Sequence, residues 1–149
     1  MIKYLTKILP IFLGTTISLF GLLKFTDPFK TWYSIQIETS GLGKYAYWMG
    51  IIGELSAGIL FLFIAKNRNI YSSGMISRLN SIGSILIISM MVTGMYVHLH
   101  PEVPATVLPL KIKPPYIPGF FLLLAVFNLI LNNLICRNGR MLLLQKNSE

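Results

Sequence analysis

Charged residues are scarce in this sequence, and acidic residues are scarcer still. Only 12% of its 149 residues are charged, with 13 basic residues against five acidic ones. A soluble domain carries about 25% charged residues, so the composition excludes an ordinary soluble globular protein. The formal net charge of +8 does not call for a nucleic-acid partner, because basic residues beside apolar segments orient a membrane protein and attract anionic lipid. We therefore expect membrane lipid, and no nucleic acid, as a partner.

Cysteine is almost absent, and the patterns of the common catalytic sites are missing. Cys136 is the single cysteine, which excludes a disulfide within the chain and a C-x-x-C thiol–disulfide site. No nucleophile–base pair, phosphate-binding loop or pair of haem ligands on facing helices can be recognised. The sequence therefore predicts no intrinsic cofactor, and it leaves open whether the protein takes part in catalysis.

Four stretches are nearly free of charge and about as long as a membrane-spanning helix. They are residues 8–23, 45–65, 79–99 and 116–136. About 20 apolar residues cross the hydrocarbon core as a helix. The first stretch is shorter, but Tyr4 and Leu5 extend it, and the lysines at its two ends can snorkel to the interfaces. The sequence therefore predicts an all-α, polytopic membrane protein with one domain, residues 1–149. Its four-helix bundle is expected to have spans at about 5–24, 45–65, 79–99 and 116–136.

The basic residues predict the orientation of these spans. A signal peptide is the alternative for the first one, but no A-x-A-like cleavage site follows and Lys24 ends the apolar run. With four spans, the N-terminus, the loop 66–78 and the C-terminal tail share one side. That side holds eight basic residues, including all four arginines, against five on the other. The positive-inside rule therefore predicts that both termini are cytoplasmic. The loop 66–78 itself is read as a short polar connector.

The first external loop, residues 25–44, predicts a short helix lying in the membrane interface. Asp27 before Pro28 is a helix-start signal, with Asp27 as the N-cap and Pro28 at the first helical position. Three aromatic residues follow on one helical face: Phe29, Trp32 and Tyr33. Anchoring in the interface is the simpler interpretation of this face. The sharper one is a lid over a cavity between the helices.

The second external loop is rich in proline. Residues 101–118 hold six of the eight prolines in the chain. Proline fixes φ, lacks an N–H donor and pushes the preceding residue toward extended conformations. We therefore expect a stiff, extended segment that packs across the mouth of the bundle. Its apolar side chains are expected to face protein: Val107, Leu108, Leu110 and Ile112.

Glu54 is the strongest candidate for a functional residue. It lies about nine residues into the second span, which places it roughly 13 Å below the external end at 1.5 Å per residue. A carboxyl at that depth is costly unless it is paired or protonated, and it marks a functional site by default. Small residues on its face (Gly50, Ala57 and Gly58) allow another helix to approach. Lys24 is the natural ion-pair partner. The alternatives are that Glu54 only fixes helix packing and that Lys24 only snorkels.

His98 and Met91 are weaker candidates, near the end of the third span. His98 lies on the same face as Met91, and its charge can switch near neutral pH. The H-x-H spacing of His98 and His100 puts the two rings on different faces, which is poor geometry for a metal site. We therefore expect no metal, although Glu102 and Asp27 are the other ligands that such a site would need. Met91 is either part of an adaptable ligand surface or simply core.

Three motifs together resemble the DoxX-like family of small four-helix membrane proteins. They are FGLLKF at 20–25, GELSAGILFLF at 53–63 and MYVHLH at 95–100. The resemblance implies that Lys24, Glu54 and His98 are the family-type polar positions. It also implies a bacterial inner-membrane location and a link to membrane redox or sulfur metabolism, since family members include the small subunit of a thiosulfate:quinone oxidoreductase. The proline-rich loop is not part of the family pattern.

The buried carboxylate and the resemblance favour an accessory subunit of a quinone-linked membrane redox system. The expected ligand is a quinone or a similar lipid held by Lys24, Glu54, Met91 and His98, with Glu54 and His98 as candidates for proton exchange. The electron donor would be a partner membrane or soluble redox protein, and a homo-oligomer is compatible with this. Two alternatives stay open. One is a non-catalytic scaffold or assembly protein that docks a partner through its external loops. The other is a small proton-coupled transporter with Glu54 as its coupling group.

Overall fold

The computed structural model describes residues 2–146, and it describes the side chains of residues 4–136. Within that part the chain is helical apart from its connections. The five α-helices are α1 (Ile2–Leu23), α2 (Phe29–Thr39), α3 (Lys44–Asn67), α4 (Ser73–Leu99) and α5 (Tyr116–Lys146). Four of them contain segments long and apolar enough to cross a membrane: Tyr4–Leu23, Lys44–Asn67, Ser73–Leu99 and Tyr116–Cys136. The prediction of a four-span, all-helical membrane protein is confirmed.

The four spanning helices form a closed ring. α1 packs against α3 and α4 packs against α5, while contacts between α3 and α4 and between α1 and α5 complete the bundle. The short helix α2 lies at the end of the bundle where α1 and α4 finish and α3 and α5 begin. We call this the strap end, after the segment described below, and the opposite end the terminal end.

A dry apolar core fills the middle of the ring. Its fully buried members come from every spanning helix and include Leu13, Ile17, Phe61, Ile87 and Ala125. Many large apolar side chains point outward instead. Ile59 of α3 and Leu123 of α5, for example, are 63% and 71% exposed. Water would make such a surface costly, whereas lipid hydrocarbon is an equally apolar solvent. The outward-facing side chains are therefore what a multi-pass membrane protein requires.

The α1–α3 contact is the closest helix crossing, because small residues meet there. A β-carbon added at Gly58 of α3 would lie 2.7 Å from the backbone nitrogen of Ser18 and 3.0 Å from the carbonyl oxygen of Gly14. The first distance is not compatible with a real side chain, and the second is tighter than most real contacts of a β-carbon. Small residues at such positions let two helical backbones touch in a membrane, where packing rather than the hydrophobic effect holds helices together. The sequence had indicated Gly58 as a point of close approach, and the structure identifies α1 as the neighbour.

The start of α2 differs from the prediction. The helix begins at Phe29, its N-cap position is Pro28, and no side chain caps its amide groups. The carboxylate of Asp27 instead accepts a hydrogen bond from the Thr31 hydroxyl, with 2.7 Å between the oxygens. The interfacial helix was predicted correctly, but the prediction that Asp27 caps it was wrong, because a nearby hydroxyl takes the carboxylate that the backbone would have used.

The predicted connector at 66–78 was too long. α3 continues to Asn67 and α4 already begins at Ser73, so only residues 68–72 link them. Ser72 starts α4, since its hydroxyl accepts a hydrogen bond from the amide of Met75. Hydropathy locates only the apolar part of a helix, and the first turns of α4 are polar. Arg68 closes this end of the bundle by donating to the carbonyl oxygen and the hydroxyl oxygen of Thr6.

The proline-rich segment packs across the strap end, but it is not extended throughout. Its last residues open α5, and residues 100–115 form the segment that we call the strap. Two 3₁₀ turns, Ala105–Val107 and Pro109–Lys111, fold it back on itself. Val103 and Leu108 are fully buried in a small cluster that also contacts Trp32 of α2. The expectation that Leu110 faces protein was wrong. Leu110 is 67% exposed because the second turn carries it outward.

Candidate functional site

Lys24 and Glu54 form a buried ion pair at the strap end of the α1–α3 seam. The ammonium nitrogen of Lys24 lies 2.7 Å from Oε1 of Glu54, and the two side chains are 16% and 12% exposed. Gly21, one turn before Lys24, lies against α3: a β-carbon there would be 3.3 Å from the β-carbon of Glu54. The absence of a side chain at Gly21 therefore brings α1 close enough for Lys24 to reach Glu54. The ion pair predicted from the sequence is confirmed.

Tyr33 of α2 covers this pair. The Lys24 ammonium lies 3.8 Å from the centroid of the Tyr33 ring, within the range of a cation–π contact. The Tyr33 hydroxyl rests on Gly50, one turn above Glu54, where a β-carbon would overlap it. We call Lys24, Tyr33 and Glu54 together the Lys24 cluster. α2 thus covers the Lys24–Glu54 pair through Tyr33. The two interpretations of its aromatic face, an interfacial anchor and a lid over a cavity between the helices, both stay predictions.

The electrostatics of the Lys24 cluster come from burial. Burial lowers the pKa of Lys24, and the negative charge of Glu54 opposes that shift. Burial also raises the pKa of Tyr33, and the Glu54 charge adds to the increase. Tyr33 is therefore a neutral phenol throughout the physiological range. The second carboxylate oxygen of Glu54 is buried without a hydrogen-bond partner among the described residues, so Lys24 is the main group that stabilises the carboxylate.

An open cavity of about 1020 Å³ lies between α2 and the first turns of α3. Lys24 is part of its wall, and Glu54 is not. The rest of the wall combines basic, apolar and aromatic side chains, among them Lys30, Lys44, Phe25, Trp48 and Ile51. Ligand pockets of about 300–1,000 Å³ with apolar walls and a few polar groups are typical of small-molecule sites. A ligand in this cavity would meet the Lys24 side chain, whose ammonium is paired with Glu54.

His98 lies elsewhere in the strap end. It is buried in α4 at 4% exposure, and its Nδ1 has no hydrogen-bond partner among the described residues. No hydrogen bond, ion pair or ring contact in the described part of the chain joins it to Lys24 or Glu54. It lies beside the strap instead. The nearby Lys113 ammonium donates to the carbonyl oxygens of His100 and Val103.

The other predicted site residues do not join the cavity. Met91 is buried in the apolar core beside Phe121 and is not part of the cavity wall. No group of three or more His, Cys, Asp or Glu side chains in the described part of the chain is placed to hold a metal ion. The structure therefore brings together Lys24 and Glu54 of the predicted set, and it adds Tyr33.

The sequence analysis missed a polar seam between α4 and α5 near the terminal end. The Asn128 amide donates to Oδ1 of Asn80 at 3.1 Å and to the Ser84 hydroxyl at 3.0 Å, all of them buried. One turn further on, Asn132 donates in the same way to Ser77 and Ser81. Side-chain hydrogen bonds of this kind hold membrane helices together. Asn128 and Asn132, four residues apart in the apolar part of α5, were the signal that could have revealed it.

No family model, curated protein or solved structure matches this chain. What the protein binds must therefore be inferred from the chemistry of the Lys24 cluster and its cavity.

Proposed function

We propose that this protein is an accessory subunit of a membrane redox system, and that it binds a quinone or a similar head-grouped lipid at the Lys24 cluster. The observation that carries the proposal is the buried Lys24–Glu54 pair beside an open cavity of about 1020 Å³. An ion pair in a membrane bundle is costly to bury, and ionisable residues there mark ligand or proton pathways. The resemblance to the DoxX-like family points to the same class of function.

The wall of the cavity suits a flat ligand with oxygen acceptors. A quinone head group needs hydrogen-bond donors for its carbonyl oxygens and apolar walls for its ring, and when bound it supplies two-electron, two-proton redox chemistry. Lys24 offers ammonium protons to the cavity, while Tyr47 and Trp48, whose rings are 5.5 Å apart, offer aromatic faces. Glu54 holds the ammonium in place. Reduction of the quinone by an electron donor takes up two protons, and Glu54 is the titratable group nearest to Lys24 that can relay a proton toward the ligand.

The redox partner in this proposal is another chain. With one cysteine in the sequence, a dithiol pair or a cluster held by several thiolates has to come from elsewhere. The excess of basic residues at the terminal end supports an orientation with both termini in the cytoplasm of a bacterium. The cavity then opens at the external leaflet of the inner membrane. Labelling of single cysteines introduced at Ile70 and at Glu102 in intact cells tests this orientation.

Quantitative mass spectrometry of co-purifying small molecules tests the binding. The wild-type protein, purified in a mild detergent, should carry an enriched quinone or similar lipid, and a short-chain quinone should bind when added. The variants Glu54→Gln and Lys24→Met should weaken this binding by about tenfold or more, because one charge-assisted hydrogen bond contributes about 1.5–3 kcal/mol. Glu102→Gln is the matched control, since Glu102 is an exposed carboxylate at the same end.

Two results would overturn the proposal. One is a folded wild-type protein that neither carries nor binds a quinone. The other is binding by Glu54→Gln and Lys24→Met that equals the wild type, when size-exclusion profiles and melting temperatures show that both variants are folded. A third variant, Tyr33→Phe, measures the contribution of the Tyr33 hydroxyl to binding. It removes a hydroxyl near the pair while leaving the ring over Lys24, so it should change affinity by less than threefold.

A second function, docking of a partner protein, is favoured by the strap. Leu110 and Lys111 both have positive φ, at 60° and 55°, a region that is costly for residues other than glycine. Leu110 stands 67% exposed at this point. A strained turn that presents a leucine and a lysine is suited to contact with another chain.

Substitution of Leu110 and Lys111, in the second turn of the strap, separates partner docking from quinone binding. Leu110→Ser with Lys111→Glu should release any protein partner from the complex and leave quinone binding unchanged. Lys113 is unsuitable for this test, because its ammonium is bonded to carbonyl oxygens within the strap. If the double variant keeps every partner that the wild type carries, the docking function is wrong.

A further inference from the structure

We propose that the same cavity holds the phosphate of one anionic phospholipid at its outer part, between Lys30 of α2 and Lys44 of α3. The acyl chains would run along Trp48 and Ile51. This binding does not depend on a redox role, since its charged contacts, Lys30 and Lys44, lie outside the Lys24 cluster. It shares Trp48 of the cavity wall with the proposed quinone site. The lipid would be a specific component of the protein at the strap end, in addition to the lipid that surrounds the bundle.

The position of the cavity favours a lipid over a ligand from water. The cavity lies where α1 has just ended, at Leu23, and where α3 begins, at Lys44. The ends of spanning helices lie at the level of the lipid head groups. Trp48, in the cavity wall, is 57% exposed, and tryptophan is enriched at this level. A molecule entering sideways from the bilayer would bring its head group to the lysines and its chains to the apolar wall.

The charges of the cavity wall are unbalanced. Lys24, Lys30 and Lys44 line it together with a single carboxylate, that of Glu38. Lys24 is neutralised by Glu54, which forms the only ion pair in the described part of the chain. Lys30 and Lys44 are exposed and have no acidic partner there, while the Glu38 carboxylate accepts a hydrogen bond from Ser34. The outer part of the cavity therefore has one uncompensated positive charge and attracts an anion.

The backbone at the same place adds to this attraction. The N-cap residue of α3 is Gly43, with φ of 80°, and no side chain caps the first amide groups of the helix. Gly43 and Lys44 are both part of the cavity wall. The amide groups at a helix N-terminus carry a partial positive charge and bind phosphate oxygens. A lipid phosphate would thus supply the cap that the sequence does not provide.

The apolar wall decides which source of phosphate fits. Phe25, Ile35, Trp48 and Ile51 belong to the cavity wall. Trp48 and Phe25 are more than half exposed in the absence of a ligand. Inorganic phosphate would leave these side chains uncovered, whereas the glycerol and acyl carbons of a phospholipid would cover them. The shared chemistry is a phosphate anion, and the presence of the apolar wall beside it favours the lipid.

Tryptophan fluorescence provides the test, because the chain has two tryptophans and one of them lines the cavity. In the Trp32→Phe variant, Trp48 is the only tryptophan, and excitation at the red edge of the absorption band selects it over the tyrosines. The protein is held in neutral detergent micelles, and brominated phosphatidylglycerol is added at increasing mole fraction. Saturable quenching at low mole fraction is expected, with brominated phosphatidylcholine needing a much higher one. The Lys30→Gln/Lys44→Gln variant should need roughly tenfold more phosphatidylglycerol, since each lysine near anionic lipid contributes a substantial share of the attraction.

Two control variants separate a site from general electrostatics. Lys7→Gln/Lys66→Gln removes the same charge from exposed lysines at the terminal end and should leave the quenching curve unchanged. Glu38→Gln removes the one opposing carboxylate from the cavity and should move the curve to lower mole fractions. Far-UV circular dichroism and melting temperature confirm that every variant is folded.

Three results would overturn the proposal. Equal quenching by phosphatidylcholine would mean that Trp48 faces only bulk lipid. An equal loss in the Lys7→Gln/Lys66→Gln variant would mean that net charge, rather than the cavity, attracts the lipid. Displacement of the brominated lipid by millimolar inorganic phosphate would mean that the cavity binds free phosphate and that the lipid is not the preferred source.

Discussion

Gly58 of α3 lies directly against Ser18 of α1, so closely that a β-carbon at position 58 would stand 2.7 Å from the Ser18 backbone nitrogen. The crossing of these two helices positions the Lys24 cluster. Lys24 follows Ser18 on α1 by six residues, and Glu54 precedes Gly58 on α3 by four. Any change that separates the two backbones at this point also moves the ammonium away from the carboxylate.

Gly58→Ala should therefore destabilise the bundle. Overpacking at a close contact costs about 1–3 kcal/mol. Besides the Ser18 hydroxyl, the obstructing atoms here are the Ser18 backbone nitrogen and the Gly14 carbonyl oxygen, which cannot move aside as a side chain can. Gly74→Ala is the control, because a β-carbon there meets nothing within 4 Å. Alanine in place of that glycine should stabilise the protein slightly, by up to about 1 kcal/mol. Unfolding in SDS, followed by circular dichroism, measures both. A Gly58→Ala variant as stable as the control would contradict the close crossing.

Removing one partner of the ion pair should cost more than removing both. Lys24→Met leaves the Glu54 carboxylate buried without its partner, and breaking a buried pair in this way costs about 3–5 kcal/mol. Lys24→Met/Glu54→Leu replaces the pair by apolar side chains and should recover most of that loss. Lys30→Met, an exposed lysine without an acidic partner, should change stability by less than about 0.5 kcal/mol. The measurement is the free energy of unfolding of all three variants. Equal losses for Lys24→Met and Lys30→Met would show that the pair contributes nothing.

The sequence predicts which segments span the membrane better than it predicts which side chains of different helices contact each other. Runs of apolar residues locate four helices, since hydrocarbon selects composition directly. The Lys24–Glu54 pair could be suggested because both residues are isolated charges. Its geometry depends on Gly21 facing α3, which no pattern within α1 specifies. The cover by Tyr33 depends likewise on where α2 returns to the bundle. These are tertiary contacts, and helical periodicity within one segment contains no information about them.

The strap shows the same limit on a smaller scale. Six prolines at 101–118, five of them in the strap, predict a stiff segment, because each one fixes φ. They leave ψ and the turns between them undetermined, so the two 3₁₀ turns and the outward position of Leu110 were not foreseen. The packing of the strap across the bundle was thus predicted correctly, but which of its apolar side chains are buried was not.

Tyr33 and Gly50 should show compensation. A β-carbon at position 50 would overlap the Tyr33 hydroxyl oxygen, while the nearest ring carbon would be 3.1 Å away. Gly50→Ala alone should therefore displace Tyr33 from Lys24 and lower the melting temperature. Adding Tyr33→Phe removes the overlapping oxygen and should restore much of the loss, with a coupling of about 0.5–3 kcal/mol between neighbouring sites. Melting temperatures of the two single variants and the double variant measure the coupling. Additive effects would place the Tyr33 hydroxyl away from Gly50.

Tyr33 should make the protein less stable in alkali. Its pKa is raised in the folded protein by burial and by the Glu54 charge. An unfolded tyrosine ionises near pH 10. Above that pH the unfolded state has lost the phenolic proton and the folded state keeps it, so stability falls as pH rises, by at most about 1.4 kcal/mol per pH unit. Tyr33→Phe should remove this part of the decline, and Tyr45→Phe, at an 87% exposed position, should not. Identical pH profiles for the two variants would contradict the burial of Tyr33.

Lys113 should hold the strap closed. Its ammonium donates to the carbonyl oxygens of His100, at 2.7 Å, and of Val103, so it ties the end of α4 to the first part of the strap. Each hydrogen bond to a charged group contributes about 1.5–3 kcal/mol. Lys113→Met should therefore speed amide hydrogen exchange in residues 101–115 by at least tenfold. Lys111→Met, two residues away and exposed, removes the same charge without removing those bonds.

The comparison of Lys113→Met with Lys111→Met also tests whether α2 depends on the strap for its position. Opening of the strap would uncover the cluster of Val103 and Leu108, which packs against Trp32 and Ile35 of α2. Exchange in residues 29–39 should therefore rise together with that of the strap in Lys113→Met, since α2 loses packing on one side. If exchange rises in the strap alone, α2 is held chiefly by Tyr33 on Gly50. In that case the cover over the Lys24 cluster is independent of the strap.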